Sequence, residues 1–274
     1  MTARPKTQRL EQLLGLVERA LRRVVKPAGG SPHILDDAIR YCVLSGGKRF
    51  RPLLCLGACE AVGGEVRTAL PVASAIELIH TYSLVHDDLP AMDDADQRRG
   101  QPSCHRRFGE AAAILVGDAL LTRAFELLGS NGTPQALAII RLLAQASGTT
   151  GLIGGQILDL RLGSRVSGLG SHELEDIARR KTAALITASV VAGGLTGTAS
   201  PKELAHLRQY GMKLGLAFQL MDDLHDRDGL VRIRGPEAVR QRATRLIAQA
   251  KHALVPFKTR AWVLHELADW LAKA

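Results

Sequence analysis

The sequence predicts an all-α protein, a single bundle of about ten helices. Three observations carry that prediction. Apolar residues recur at helical spacing in stretch after stretch. The breaks between stretches are rich in glycine, proline and serine. No stretch alternates apolar and polar residues as a half-buried strand does, and no tandem repeat is visible. The 274 residues read as one domain, 1–274, long enough to bury a substantial core.

Taken in order, Leu10, Leu13, Leu14, Val17, Leu21 and Val24 mark the apolar face of a first helix. Ser31 is a candidate N-cap and Pro32 the first position of a second helix running to Leu44. Gly46, Gly47 and Pro52 then break the pattern at "SGGKRFRP". Apolar helical stretches follow near 52–62, 68–89, 110–129, 134–147, 172–194, 201–225, 236–256 and 259–273. Loops are predicted at 63–64, 130–134, 163–171 and 197–201. The stretches 68–89 and 172–194 are apolar nearly all round, which places them in the centre of a bundle.

Composition narrows the function. The formal charge of +9 and pI near 9.8 invite a nucleic-acid partner. The basic residues are spread along the chain, however, aromatics make up only 4%, and no aromatic RNA-binding run or zinc-finger spacing appears. An anionic small substrate suits the charge, and no nucleic acid is expected. Cys42, Cys55, Cys59 and Cys104 form neither a disulfide framework nor a zinc pattern. Free thiols in a reducing cytoplasm are expected. The N-terminus lacks a secretory h-region, and no uninterrupted apolar run reaches the ~18 residues of a membrane span.

The chemistry concentrates in two acidic clusters. "FQLMDDLHDRDG", 218–229, closes a long apolar helix. Asp222 and Asp226 are spaced i, i+4, about 40° apart around the helix axis, so both lie on one face while Asp223 points elsewhere. "HDDLPAMDDADQRRG", 86–100, closes another. Asp87 and Asp93 are six apart, on different faces of a straight helix, but Pro90 disfavours helix at Leu89 and a bend there can bring Asp93 back beside Asp87. Each cluster alone reads as a solvated helix end. If the two helices lie side by side, the carboxylates share one mouth and need cations, and hard oxygen donors select magnesium. The arginines that follow then suit phosphate oxygens.

These blocks, with "GGKRFRP", "IELIHTYSLVHDDLPAMDDADQRRGQPSCHRRFGEAAAILVGDALL", "GGQILDL", "KTAALI" and "LGLAFQLMDDLHD", resemble the trans-isoprenyl diphosphate synthases, in particular bacterial farnesyl and geranylgeranyl diphosphate synthases. The resemblance runs from about residue 31 to 226 and resumes more weakly from 235. It implies a bundle around a deep apolar cavity, usually a homodimer, using three magnesium ions to join isopentenyl diphosphate head-to-tail to an allylic diphosphate, dimethylallyl or geranyl. Carried over residue by residue, it assigns metal binding to Asp87, Asp88, Asp93, Asp222 and Asp226. Arg98 would grip the allylic diphosphate. Lys48, Arg51, His80 and Arg99 would hold isopentenyl diphosphate. Lys181, Thr182 and Gln219 would line the reacting allylic end. Taken alone, Lys48 and Arg51 read equally as solvated loop cations, and His80 as a core histidine.

Product length turns on Tyr82, five residues before Asp87, with the spacer "LPAM". In similar enzymes a ring there goes with a short tail cavity, which implies a fifteen-carbon product. Two alternatives stand beside this reading. A class I terpene cyclase would lack the isopentenyl diphosphate residues and carry a different second metal motif. A non-catalytic, regulatory synthase-like subunit is the stronger alternative, because the lysine-bearing loop of similar enzymes is missing after Asp226. "RDGLVRIRGPEAVRQR" stands in its place, and Arg232 or Arg234 is expected to reach back toward the diphosphate.

Overall fold

The computed structural model describes residues 8–27, 29–130, 132–163 and 170–273. Most of the predicted 163–171 loop, residue 131 of the 130–134 loop and the first seven residues lie outside them. The all-α expectation holds. The helices are α1 (Gln8–Val24), α2 (His33–Leu44), α3 (Phe50–Ala61) and α4 (Val66–Asp87), then α5 (Cys104–Phe108), α6 (Glu110–Gly129), α7 (Ala136–Ser147) and α8 (Leu152–Gly163). They continue with α9 (Ser171–Ile177), α10 (Ala184–Thr196), α11 (Pro201–Asp226), α12 (Leu230–Arg234), α13 (Pro236–Ala253) and α14 (Trp262–Ala272).

α3, α4 and α10 form the centre, with α6 on the far side of α4 and α11 and α13 beyond α10. Their composition explains this. α10 shows no polar face over Ala184–Thr196, and nearly all its side chains are buried. α1 has one apolar edge, Leu10, Leu13, Val17 and Leu21, and only that edge is buried. One connected apolar core runs from Leu10 to Leu271.

Three features depart from the sequence reading. First, a minimal hairpin, β1 (Gln97–Arg98) and β2 (Gln101–Pro102), follows the first acidic cluster. Its turn has positive φ at both Arg99 (56°) and Gly100 (76°), the pairing that suits a two-residue hairpin. Second, residues 152–163 are helical although Gly154 and Gly155 look like breakers. Gly155 is there for closeness, since a Cβ on it would sit 2.4 Å from the Lys181 backbone nitrogen. Third, the stretch predicted as one helix over 172–194 contains a π-helical segment, Ala178–Ala183.

By averaged hydropathy, Val66–Asp87 and Ala136–Arg161 are both long and apolar enough to cross a membrane, although neither is an uninterrupted apolar run. The most apolar window of the first is 72% buried inside the fold, as a core helix requires. The second is 33% buried and spans two twelve-residue helices, α7 and α8.

Candidate active site

The two acidic clusters sit at the C-terminal ends of α4 and α11. The bend expected after Asp87 is real. α4 ends there, and the chain folds back so that the Asp93 amide donates to the Asp87 carbonyl at 2.9 Å. Asp93 thereby returns beside Asp87. Asp222 and Asp226 share a face of the last turns of α11 without any such device.

Burial pushes the Asp87 carboxyl up to about 6, and Asp93 and Asp88 add to the rise while Lys181 and Arg98 oppose it. Asp222 behaves alike. Burial lifts it to about 6, Lys48 and Arg51 oppose, and Asp226 and Asp223 add. Asp93 and Asp226 are exposed at the rim. Asp88 differs from the other acids. It is buried and accepts the Arg98 guanidinium, whose Nε lies 3.0 Å from Oδ1. The structure therefore occupies Asp88 in orienting Arg98, which keeps an exposed edge.

The cations expected to hold the second diphosphate do converge. Lys48, Arg51, His80, Arg98 and Arg99 line one cavity of about 310 Å³. Arg51 is buried, leaves its Nε without a partner, and has Nη1 3.4 Å from His80 Nε2. Burial and then the Arg51 charge push the His80 imidazole well down, so it is neutral at pH 7. Arg99, set by the hairpin turn, donates to the Gly46 carbonyl and lies over Gly47. The neighbouring Arg49 is structural. It pairs with Glu77 at 2.7 Å and Glu18 at 2.9 Å and fixes the loop that carries Lys48.

The π segment presents Lys181 and Thr182. Lys181 pairs with Asp159 of α8 at 2.6 Å. Thr182 donates to Gln219 Oε1 at 2.5 Å, and Gln219 donates to Asp223 at 2.9 Å. Asp223 also accepts the Leu230 amide at 3.1 Å, so it closes the short turn that follows α11. Gly215 lets α11 approach, since a Cβ there would meet Ala183 Cα at 2.6 Å.

Sequence reasoning missed several participants. Trp270 lies under the Lys48 ammonium, 5.2 Å from the ring centroid, and packs on Phe50. Asp223 was legible only as a carboxylate on another face of its helix, and Asp159 lay in a stretch not predicted to be helical. The expectation for Arg232 and Arg234 is not met. Arg232 pairs with Asp228 at 2.9 Å, and Arg234 donates to Ser171 at 2.8 Å, both on the surface. Tyr82 is buried, its ring edge-on to His86.

The profile of the family described as polyprenyl synthetase matches residues 32–235. The chain belongs to the polyprenyl synthetase family. It is 46% identical over 218 residues to the heterodimeric geranylgeranyl pyrophosphate synthase large subunit 1, chloroplastic, of Arabidopsis thaliana, a match covering 77% of this chain and 58% of that protein. It is 40% identical over 278 residues to the dimethylallyltranstransferase of Fischerella ambigua, covering 93% of this chain and 80% of that one. The crystal structure of an FPP/GFPP synthase from Zymomonas mobilis superposes with a TM-score of 0.91 at 35% identity, over 96% of this chain and 97% of that one. The chain spans little more than half the length of the plant polyprenyl synthetases it matches.

Proposed function

We propose that this chain is a magnesium-dependent prenyltransferase that condenses isopentenyl diphosphate with an allylic diphosphate. The observation that carries the reading is the pairing of two half-buried carboxylates with raised pKa, Asp87 and Asp222, with a cavity lined by Lys48, Arg51, His80, Arg98 and Arg99. A cluster of carboxylates calls for cations, and a cluster of cations calls for an anion. A metal diphosphate supplies both.

The donor set fits magnesium. Asp87, Asp93, Asp222 and Asp226 offer hard carboxylate oxygens held among like charges. Among the described residues no three His, Cys, Asp or Glu side chains are grouped closely enough to hold a metal by themselves. A dication here would need further oxygens from diphosphate and water, which magnesium commonly takes. When bound, it neutralises charge on the leaving diphosphate.

The chain's own residues do the rest. In the reaction the allylic C1–O bond breaks, the double bond of isopentenyl diphosphate attacks C1, and the departing diphosphate takes the proton that is lost. Arg98, aimed by Asp88, stabilises the developing negative charge. Lys48, Arg51, His80 and Arg99 hold the second diphosphate and so place its double bond. Neutral His80 donates a hydrogen bond without adding a fourth charge to that wall. The Lys181 carbonyl, Thr182 and Gln219 direct dipoles at the allylic cation. Tyr82, buried on α4, floors the tail path and favours a fifteen-carbon product over longer ones.

We further propose that the chain acts in the cytoplasm as a homodimer. Ile114, Leu115, Leu137, Ile153 and Ile157 are all exposed on α6, α7 and α8, which supports a pairing face there. The alternative of a non-catalytic subunit rests on one observation, the short turn closed by Asp223 where similar enzymes carry a longer loop. Incubation with labelled isopentenyl diphosphate, geranyl diphosphate and magnesium, followed by chromatography, separates the two. Labelled farnesyl diphosphate supports the synthase. Tight substrate binding without turnover supports the subunit.

A further inference from the structure

Cys42 and Cys104 stand apart from the other two thiols. Cys55 and Cys59 are sealed in the core of α3. Cys42, on α2, is half-buried, and Cys104 opens α5, immediately after the hairpin that carries Arg98 and Arg99. The helices that carry them, α2 and α5, pack against each other. The two side chains line one small cavity, about 30 Å³, with Thr81, Asp88, Arg98 and Arg99. That is room for a water-sized molecule. Thr81 Oγ1 is buried there and has no partner.

We propose that Cys42 and Cys104 form a reversible oxidative modification site, closing to an intramolecular disulfide that disables the diphosphate arginines. The oxidant is a peroxide. Its size suits the cavity, Thr81 can donate to it, and the arginines stabilise the hydroxide that departs. Cys104 thiolate attacks one peroxide oxygen, the O–O bond breaks, and Cys104 sulfenic acid and hydroxide result. Cys42 thiolate then attacks the Cys104 sulfur, the S–O bond breaks, and a second hydroxide leaves. The two thiol protons convert both hydroxides to water, so two thiols are oxidised and one peroxide is reduced.

The consequence follows from chain connectivity. Cys104 lies six residues after Arg98, and the Ser103 amide is bonded to the Asp96 carbonyl across the hairpin. Drawing Cys104 toward α2 shifts the hairpin base, and with it the Arg98–Asp88 pair and Arg99. The effect on activity rests on the synthase reading above, but the cross-link does not.

The test is peptide mapping of the full chain after hydrogen peroxide, with and without later dithiothreitol, beside steady-state kinetics. A single internal Cys42–Cys104 cross-link is expected, reversed by dithiothreitol, with Cys55 and Cys59 still thiols. Cross-linked protein should show a kcat/KM for the allylic substrate lower by about tenfold or more, restored on reduction. Cys42→Ser should stop at Cys104 sulfenic acid, trapped by dimedone, and keep its kinetics largely unchanged by peroxide. Oxidation of Cys104 with Cys42 remaining a thiol in the unmodified chain would overturn the proposal, as would full cross-linking with unchanged kinetics. A reduced chain that never turns over would count against the synthase reading, while the mapping would still decide the disulfide.

Discussion

The ends of α4 and α11 solve one problem in two ways. Both carry a half-buried aspartate lifted to about 6, chiefly by loss of water. At α11 the partner carboxylate, Asp226, comes from helical periodicity alone. At α4 it comes from a chain reversal, in which the Asp93 amide is tied to the Asp87 carbonyl. The cations differ too. Those near Asp87, Lys181 and Arg98, are already paired with Asp159 and Asp88. Those near Asp222, Lys48 and Arg51, face the open cationic cavity. One end is therefore built to be rigid before substrate arrives, and the other to receive an anion.

The sharpest way to break this comparison is to remove each acid. Asp87→Asn and Asp222→Asn should each lower kcat by about 100-fold or more in steady-state assays, because both contacts act on transition-state charge. Thermal melts should show both variants folded, since the amide removes a partly desolvated charge that neighbouring carboxylates repel. A loss confined to one variant would show that the two ends do not serve one site.

Next in size is the contrast between Arg98, held by Asp88, and Arg51, which lines the cationic cavity beside His80. Arg98→Ala strands the buried Asp88 charge and should cost about 2 kcal/mol of stability by denaturant titration, reduced from the fully buried case because Arg98 is part exposed. It should also raise KM for the allylic substrate. Arg51→Ala should raise KM for isopentenyl diphosphate and leave stability nearly unchanged, because it relieves a buried charge with an unpartnered Nε. Equal effects on both substrates from either variant would erase the distinction.

The pH dependence follows from the same two acids. Each is raised from 3.8 in the folded chain, so their stabilising contribution is fully present below about pH 4 and lost as pH rises through about 6. On the proposed reading, magnesium takes the ionised forms. The melting-temperature gain from magnesium with a diphosphate ligand should be small at pH 5 and full by pH 8, in scanning calorimetry with matched ionic strength.

Smaller effects sharpen the edges. Tyr82→Ala should lengthen the product by about one five-carbon unit on chromatography, with diphosphate binding unchanged, since Tyr82 is not among the side chains lining the cationic cavity. Joint replacement of Arg232 and Arg234 by alanine should change kinetics by less than about twofold, because both hold surface partners.

How much of this was legible in the sequence follows from locality. The α11 cluster was readable, because i, i+4 spacing is a property of the helix itself. The α4 cluster was readable as a possibility, because Pro90 marks a bend without fixing its direction. The hairpin that aims Arg98 and Arg99 was not, since two-residue strands carry no alternation. Nor was the π segment at Lys181, because a stretch that is apolar nearly all round has no polar stripe whose shift would mark the extra residue. α8 was hidden because Gly154 and Gly155 look like a break, when Gly155 is needed for contact with Lys181. Trp270 beneath Lys48 joins residues at opposite ends of the chain, which no local pattern reports. The outward turn of Arg232 and Arg234 depended on Asp228 and Ser171 competing for them, and charge alone does not reveal which partner wins.

The central claim is that both acidic ends hold one metal diphosphate. Calorimetric titration of an unreactive allylic thiodiphosphate in the presence of magnesium tests it, using the unmodified chain, Asp87→Asn, Asp222→Asn and the double variant. The account predicts that each single change removes most of the magnesium-dependent affinity and that the double change adds little more, the signature of coupled ligands. Additive losses in the double variant, or a single variant that binds as the unmodified chain does, would contradict it.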